Sequence, residues 1–204
     1  MEFWNDIAAD RSWEVLVRLR KEFDFILIGG WAVYLYTKAI KSKDIDIIAD
    51  FDSLDKIKRS YRLKKTGFLK KYQISAGGVS VDIYVPFYSR LAVPVDFIQK
   101  NFASIGGFKI PSREVLLILK QQAELERRDS VRGQKDRVDI LSLLIKGDAN
   151  LGKYQSILKE FRLQGYEKRL KEIVNSGKKE YEYLGISDYR KTRLLKRKIL
   201  EKLA

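Results

Sequence analysis

The sequence predicts an α+β fold: a small mixed β-sheet with packed helices over residues 1–110, then a C-terminal helical bundle over 111–204. Three observations predict it. Short β-like runs alternate with helical ones before residue 111. Gly77-Gly78 joins two strand-like runs in the manner of a hairpin. From Pro111 onward the apolar residues keep helical spacing almost throughout.

The elements follow in order. Trp13, Leu16, Val17 and Leu19 fall near one stripe and predict a helix over 10–22. Phe25–Ile28 is a short apolar run ended by Gly29-Gly30, which reads as a buried strand, and 31–38 looks helical. Ile45, Ile47 and Ile48 with Asp44 and Asp46 make a second strand, and 53–62 a helix with Ser53 as its N-cap. Leu69–Ile74 is a third strand and Val79–Val85 a fourth, with pairing ended by Pro86. Pro111-Ser112 opens a strong helix, with Ser112 as N-cap and Val115, Leu116, Leu119 and Ala123 on one face. Gly133 separates it from a helix near 134–146. About three more helices follow, broken near 147–151, 165 and 176–187.

Composition narrows the chemistry. The 204 residues include no cysteine, which excludes disulfides, zinc–thiolate sites and a thiol nucleophile. They include no histidine either, so imidazole is unavailable for metal binding, proton transfer or a Ser-His-Asp triad. Any metal must sit on oxygen ligands, which favours magnesium, manganese or calcium. The formal charge of +14 favours a polyanionic partner, above all nucleic acid. Residues 151–204 carry 15 Lys/Arg against 7 Asp/Glu, with Tyr154, Tyr166, Tyr181, Tyr183 and Tyr189 interleaved. Basic groups near aromatic rings can hold phosphates and stack bases. No segment reaches a membrane-spanning length of apolar residues, and Met1–Asp6 lacks the basic start of a signal peptide. The expectation is a cytoplasmic protein.

Asp44-Ile45-Asp46 is the first chemical signal. On a strand, residues two apart share a face, so Asp44 and Asp46 project together and repel. A divalent cation relieves that repulsion and uses their hard oxygens. Asp82, in the alternating run Val81–Val85, would add a third carboxylate if its strand lay beside the first. Three such acids can hold two metal ions and promote in-line displacement at phosphorus. Gly29-Gly30 lets the backbone turn sharply and leaves N–H groups open to a phosphate. Lys41 and Ser42, just before the acids, are placed to contact nucleotide phosphates.

The order of these signals is strand, Gly-Gly, helix, Asp-x-Asp strand and then a later strand Asp. It resembles the nucleotidyltransferase fold of the DNA polymerase β superfamily. The resemblance is carried by Ile28-Gly29-Gly30-Trp31-Ala32 and by Lys41-Ser42-Lys43-Asp44-Ile45-Asp46-Ile47-Ile48, with Lys41 where many relatives show Arg. It implies that Asp44, Asp46 and Asp82 bind metal and that Gly29 and Gly30 approach a triphosphate. A second block holds Lys120-Gln121-Gln122-Ala123, Arg127-Arg128 and Lys135-Asp136-Arg137-Val138-Asp139-Ile140. It looks like the helical part of the abortive-infection toxin-type (AbiEii/MenT) nucleotidyltransferases. In that group a helix Lys and an Asp of the following helix join the active site. Lys120 matches the Lys, and either Asp136 or Asp139 matches the Asp. A Lys aimed at the triphosphate would offset charge on the leaving group, and an Asp would orient it or take the acceptor's proton.

The resemblance implies a magnesium- or manganese-dependent enzyme that moves an NMP from an NTP to an acceptor hydroxyl and releases pyrophosphate. RNA, such as the 3′ end of tRNA, is the leading acceptor, and a toxin role would bring an antitoxin protein as partner. Two other readings stand beside it: the same chemistry on a small molecule or a protein hydroxyl, and a non-catalytic nucleic-acid-binding module.

Overall fold

The computed structural model describes residues 6–67 and 69–203; the signal-peptide expectation rests mainly on Met1–Asn5, which lie outside the described residues. The chain divides into two compact units, Met1–Ser112 and Arg113–Ala204. The class is the predicted one, mixed α+β, but the sheet is larger than the sequence suggested.

The first unit opens with α1 (Asp6–Glu22), which buries Ala9, Ser12, Val15, Leu16 and Leu19, an amphipathic spacing. Strand β1 (Ile26–Ile28) runs directly into α2 (Gly29–Thr37). The Gly-Gly pair is therefore the first turn of a helix, two residues earlier than the spacing predicted. Gly29 has φ +68°, a conformation that side chains strongly disfavour, which explains a glycine at the junction. Helix α2 is apolar nearly all round and buries Trp31, Ala32, Val33 and Leu35, as a fully packed helix must. The Trp31 indole N–H donates to Ser12 Oγ at 2.9 Å, and its ring meets Trp13 at 5.0 Å between centroids. These contacts fix α2 against α1.

Strand β2 (Ile45–Ile48) leads to α3 (Phe51–Ser60). The cap of α3 is Asp50, not the predicted Ser53. Its carboxylate accepts from the Ser53 backbone N–H at 2.7 Å, which places Ser53 three residues inside the helix. Strands β3 (Lys64–Thr66), β4 (Lys71–Ala76) and β5 (Val79–Tyr84) follow, then α4 (Val95–Lys100), β6 (Phe102–Ile105) and β7 (Phe108–Pro111). β4 starts two residues later than predicted, and β3, α4, β6 and β7 carry no signal in the sequence pattern. They are short, and β3 and β6 form the two edges of the sheet, so their sequences lack sustained periodicity.

The seven strands among the described residues form one sheet in the order β3-β4-β5-β2-β1-β7-β6. β1 is antiparallel to β2 and parallel to β7, while β2 runs parallel to β5. Leu27, Ile45, Ile47, Val81 and Ile83 alternate onto one face and are essentially fully buried. The opposite face of β2 and β5 carries Asp46 and Asp82.

The second unit is helical: α5 (Arg113–Glu126), α6 (Val131–Ile145), α7 (Leu151–Glu160), α8 (Tyr166–Ser176), α9 (Lys178–Tyr183) and α10 (Tyr189–Glu201). Helix α5 starts directly after Ser112. Gly133 is not a separator but part of the first turn of α6. Its N–H donates to the cap Ser130 Oγ at 3.0 Å, and a Cβ there would meet Arg127 O at 2.3 Å. Among the described residues four helices follow α6 rather than three, because the predicted break over 176–187 contains α9. Among the described residues no helix is long and apolar enough to cross a membrane.

Candidate active site

The register of the central strands brings two of the predicted acids together. Asp46 of β2 lies opposite Asp82 of the parallel strand β5, and on its other side opposite Ile28, the last residue of β1. Neighbours in register on one sheet face stand roughly 5 Å apart at the backbone. Both side chains are half-buried. Asp44 precedes β2 rather than belonging to it, so the expected same-strand pairing of Asp44 with Asp46 is not made by the ladder. The Asp44 carbonyl accepts from Ser42 Oγ at 3.0 Å. Among the described residues no group of three or more acidic side chains stands close enough to hold a metal ion.

Gly29 closes the site from the β1 side. A Cβ at Gly29 would lie 2.2 Å from Asp46 Oδ2 and 2.8 Å from its Cγ. The bare backbone at the start of α2 therefore packs directly against the carboxylate. The N-cap position is Ile28, whose side chain makes no cap hydrogen bond, so the Asp46 carboxylate is the polar group brought closest to the first turn of α2 by the Gly29 contact. The two residues expected to contact phosphate also have partners within the protein. Lys41 pairs with Asp10 of α1 at 2.7 Å, and that hydrogen bond raises its pKa. Ser42 is buried and holds the turn before β2.

Strand β4 supplies two residues that the sequence motifs did not mark. Gln73 lies opposite Asp82, and its Nε2 donates to Asp82 Oδ1 at 2.9 Å. Lys71, two residues earlier on the same face, forms an ion pair with Asp82 Oδ2. The Lys71-Tyr72-Gln73 alternation on a strand was the available signal.

In the second unit, Lys120, Asp136 and Asp139 do come together, on α5 and α6. Lys120 Nζ lies 3.2 Å from Asp136 Oδ1 and 2.7 Å from Asp139 Oδ2. Asp136 also accepts two bonds from Arg127, at 2.7 and 3.0 Å. Burial pushes the Asp136 carboxyl up, but Lys120 and Arg127 outweigh it and hold it below the usual range. Lys135, part of the same sequence block but given no role, is buried and donates to Asp139 Oδ2 at 2.9 Å. Burial lowers its pKa against the pull of Asp139. The second oxygen of Asp139, Oδ1, is buried without a hydrogen-bond partner. The two acids thus differ: Asp136 is saturated, and Asp139 keeps an unused acceptor.

Nearby, Glu124 of α5 is fully buried and ties three helices. It accepts from Arg169 of α8 at 3.0 Å through Oε2 and pairs with Arg137 of α6 at 3.3 Å. Arg137 continues to Glu180 of α9 at 2.8 Å. Nothing in the spacing of these charges in sequence announces that network.

Among solved structures, the chain is similar to the crystal structure of an antigenic nucleotidyltransferase-like protein from Paracoccidioides brasiliensis. Identity is 17% and the TM-score 0.40, over 76% of this chain and 88% of that one. No protein-family model and no curated protein matches the chain.

Proposed function

We propose that this protein is a metal-dependent nucleotidyltransferase that moves an NMP from an NTP to an acceptor hydroxyl. The observation that supports it most is the Asp46–Asp82 register with Gly29 packed against Asp46. Two register-paired carboxylates in a protein without His or Cys suit a hard divalent ion. Magnesium is commonly held by one or two carboxylates, with water and substrate phosphates completing its shell. Asp46 and Asp82 would hold it, with Asp44 contributing from the residue before β2. Such an ion, when bound, supplies charge for the phosphates and lowers the pKa of the attacking hydroxyl.

The chain's own residues do the rest. The first turn of α2, which starts at Gly29 beside Asp46, would turn backbone N–H groups and the positive end of its dipole toward the triphosphate. The acceptor oxygen forms a bond to the α-phosphorus as the bond to the bridging oxygen breaks. Pyrophosphate leaves with that electron pair, and the hydroxyl proton passes to a carboxylate or to water. Lys120, Asp136 and Asp139 keep the roles that the toxin-type resemblance implies, with Asp139, through its unused oxygen, the better candidate for the helical acid.

RNA is the acceptor class we favour. Helix α10 carries exposed Arg190, Lys191, Arg193, Arg197 and Lys198 against a single acid, Glu201, and begins at the exposed ring of Tyr189. That face suits a phosphate backbone with an adjoining base to stack. The 3′ end of tRNA as the acceptor, and a toxin paired with an antitoxin, are the extensions that the resemblance suggests.

The test is label transfer. The protein is incubated with magnesium or manganese, each α-phosphate-labelled NTP in turn, and total RNA, beside the variant Asp46→Asn. Label in a tRNA-sized band, only with metal and only with the parent, is the expected result. Metal-independent RNA binding with no transfer to any acceptor would replace this reading with the binding-module one.

A further inference from the structure

We propose that Lys71 is a tethered cation that occupies Asp82 until a divalent ion displaces it, and so sets how much metal the site requires. The inference rests on the metal role of Asp46 and Asp82 given above. It adds a positioning residue that the motifs did not contain.

The geometry comes from the β4–β5 pairing. Gln73 is opposite Asp82 across the antiparallel ladder, and Lys71 lies two residues away on the same face. Gln73 holds Oδ1 of Asp82 at 2.9 Å and also donates to Ser80 Oγ at 3.0 Å, which fixes the amide. Lys71 pairs with Oδ2. Both oxygens of the carboxylate are therefore taken from one strand, on the side away from Asp46. The Lys71 ammonium also stands 5.6 Å from the ring centroid of Tyr84, so its position has a second support on the same sheet face.

The two contacts differ in what they can yield. Gln73 is a neutral donor that orients the carboxylate and leaves its charge intact. Lys71 neutralises that charge. Asp46 and Asp82 repel across the strands, and without metal the ammonium relieves the repulsion. The pair is only partly exposed, 24% for the Lys71 side chain and 16% for Asp82, so water screens it less than a surface pair. A divalent ion carries twice the charge of an ammonium and can engage both carboxylates, but it needs Oδ2. It must first displace Lys71. The apparent affinity for metal is then the intrinsic affinity reduced by the fraction of molecules in which Asp82 is released.

The experiment measures Mn2+ binding to the full chain by electron paramagnetic resonance of the free ion, with no nucleotide. Parent, Lys71→Met, Lys71→Arg and Asp82→Asn are compared, with circular dichroism to establish that each is folded. Removing the competitor in Lys71→Met should tighten Mn2+ binding roughly fivefold to tenfold. Lys71→Arg, whose planar fork grips a carboxylate with two bonds, should bind Mn2+ no tighter than the parent. Asp82→Asn should lose the site. If Lys71→Met does not fold, the comparison of Lys71→Arg with the parent decides: tighter binding in the arginine variant overturns the proposal. Equal or weaker binding in folded Lys71→Met, with the parent still binding, overturns the Lys71 role and leaves the metal site standing. No Mn2+ bound at millimolar concentration by parent or Lys71→Met overturns both.

Discussion

Gly29 illustrates how one residue serves both fold and site. Its φ of +68° starts α2 immediately after β1, and the space a Cβ would fill already holds the Asp46 carboxylate. Gly29→Ala therefore meets two penalties, backbone strain and a collision at 2.2 Å. We expect it to lower unfolding stability by at least ~2 kcal/mol in urea titration and to weaken Mn2+ binding in the same protein. Unchanged stability would mean that the close approach to Asp46 is not enforced. Asp46→Asn and Asp82→Asn should keep the far-UV dichroism of the parent, because each side chain is only half-buried and asparagine has almost the volume of aspartate. Both should abolish transfer. The Asp-x-Asp motif was legible in the sequence, but only Asp46 gained a strand position. Asp44 precedes β2, a boundary that depends on which residues find a ladder partner.

At the level of elements, the pair α5 and α6 carries most of the buried charge. Asp136 is fully buried, and Asp139, Lys120 and Lys135 nearly so. Asp136→Asn takes the carboxylate from Arg127 and leaves Lys120 paired with Asp139 alone, so the cost should fall below the roughly 3 kcal/mol of a buried pair broken outright. It should also change the pH dependence. The Asp136 carboxyl sits below its ordinary value of 3.8 in the folded chain, so the unfolded chain binds the proton first. That contribution is complete above the ordinary value and is lost as pH falls through the folded one. Thermal scans from pH 5 down to pH 2 should show the parent losing more stability than Asp136→Asn. A parallel acid limb in the two proteins would remove Asp136 as its cause. The sequence marked Lys120, Asp136 and Asp139 through the resemblance of this block to the toxin-type nucleotidyltransferases. It left the two acids equivalent, and they separate only when Arg127 is seen to fold back onto Asp136. The sheet edges were the least legible elements. Lys64–Thr66 has no apolar pattern, and β6 is placed by its antiparallel pairing with β7.

For the molecule as a whole, the +14 charge bears on partners more than on fold. If RNA is the acceptor, affinity should fall steeply between 50 and 200 mM salt. Replacing Arg190, Lys191, Arg193 and Lys198 together by Gln should weaken binding and reduce the log–log salt slope. The reduction should be roughly 0.7 for each phosphate of a single strand that these side chains neutralise. Filter binding at several salt concentrations measures this. An unchanged slope would move the RNA face away from α10. The four side chains are exposed, so the unfolding midpoint should move little.

The sequence by itself determined the α+β class, the exclusion of thiol and imidazole chemistry, the basic C-terminal stretch and the acids on which a site could be built. These are properties of residue type and local period, which need no partner to be read. The tertiary structure alone decided that Asp46 faces Asp82, that Gly29 lies against the first of them, and that Lys71 and Gln73 hold the second. It also gave Lys41 a partner in Asp10 and Ser42 one in the Asp44 carbonyl. The reason is that strand register and order join residues tens of positions apart, and hydrogen bonding across a sheet leaves no trace in the spacing of either strand alone.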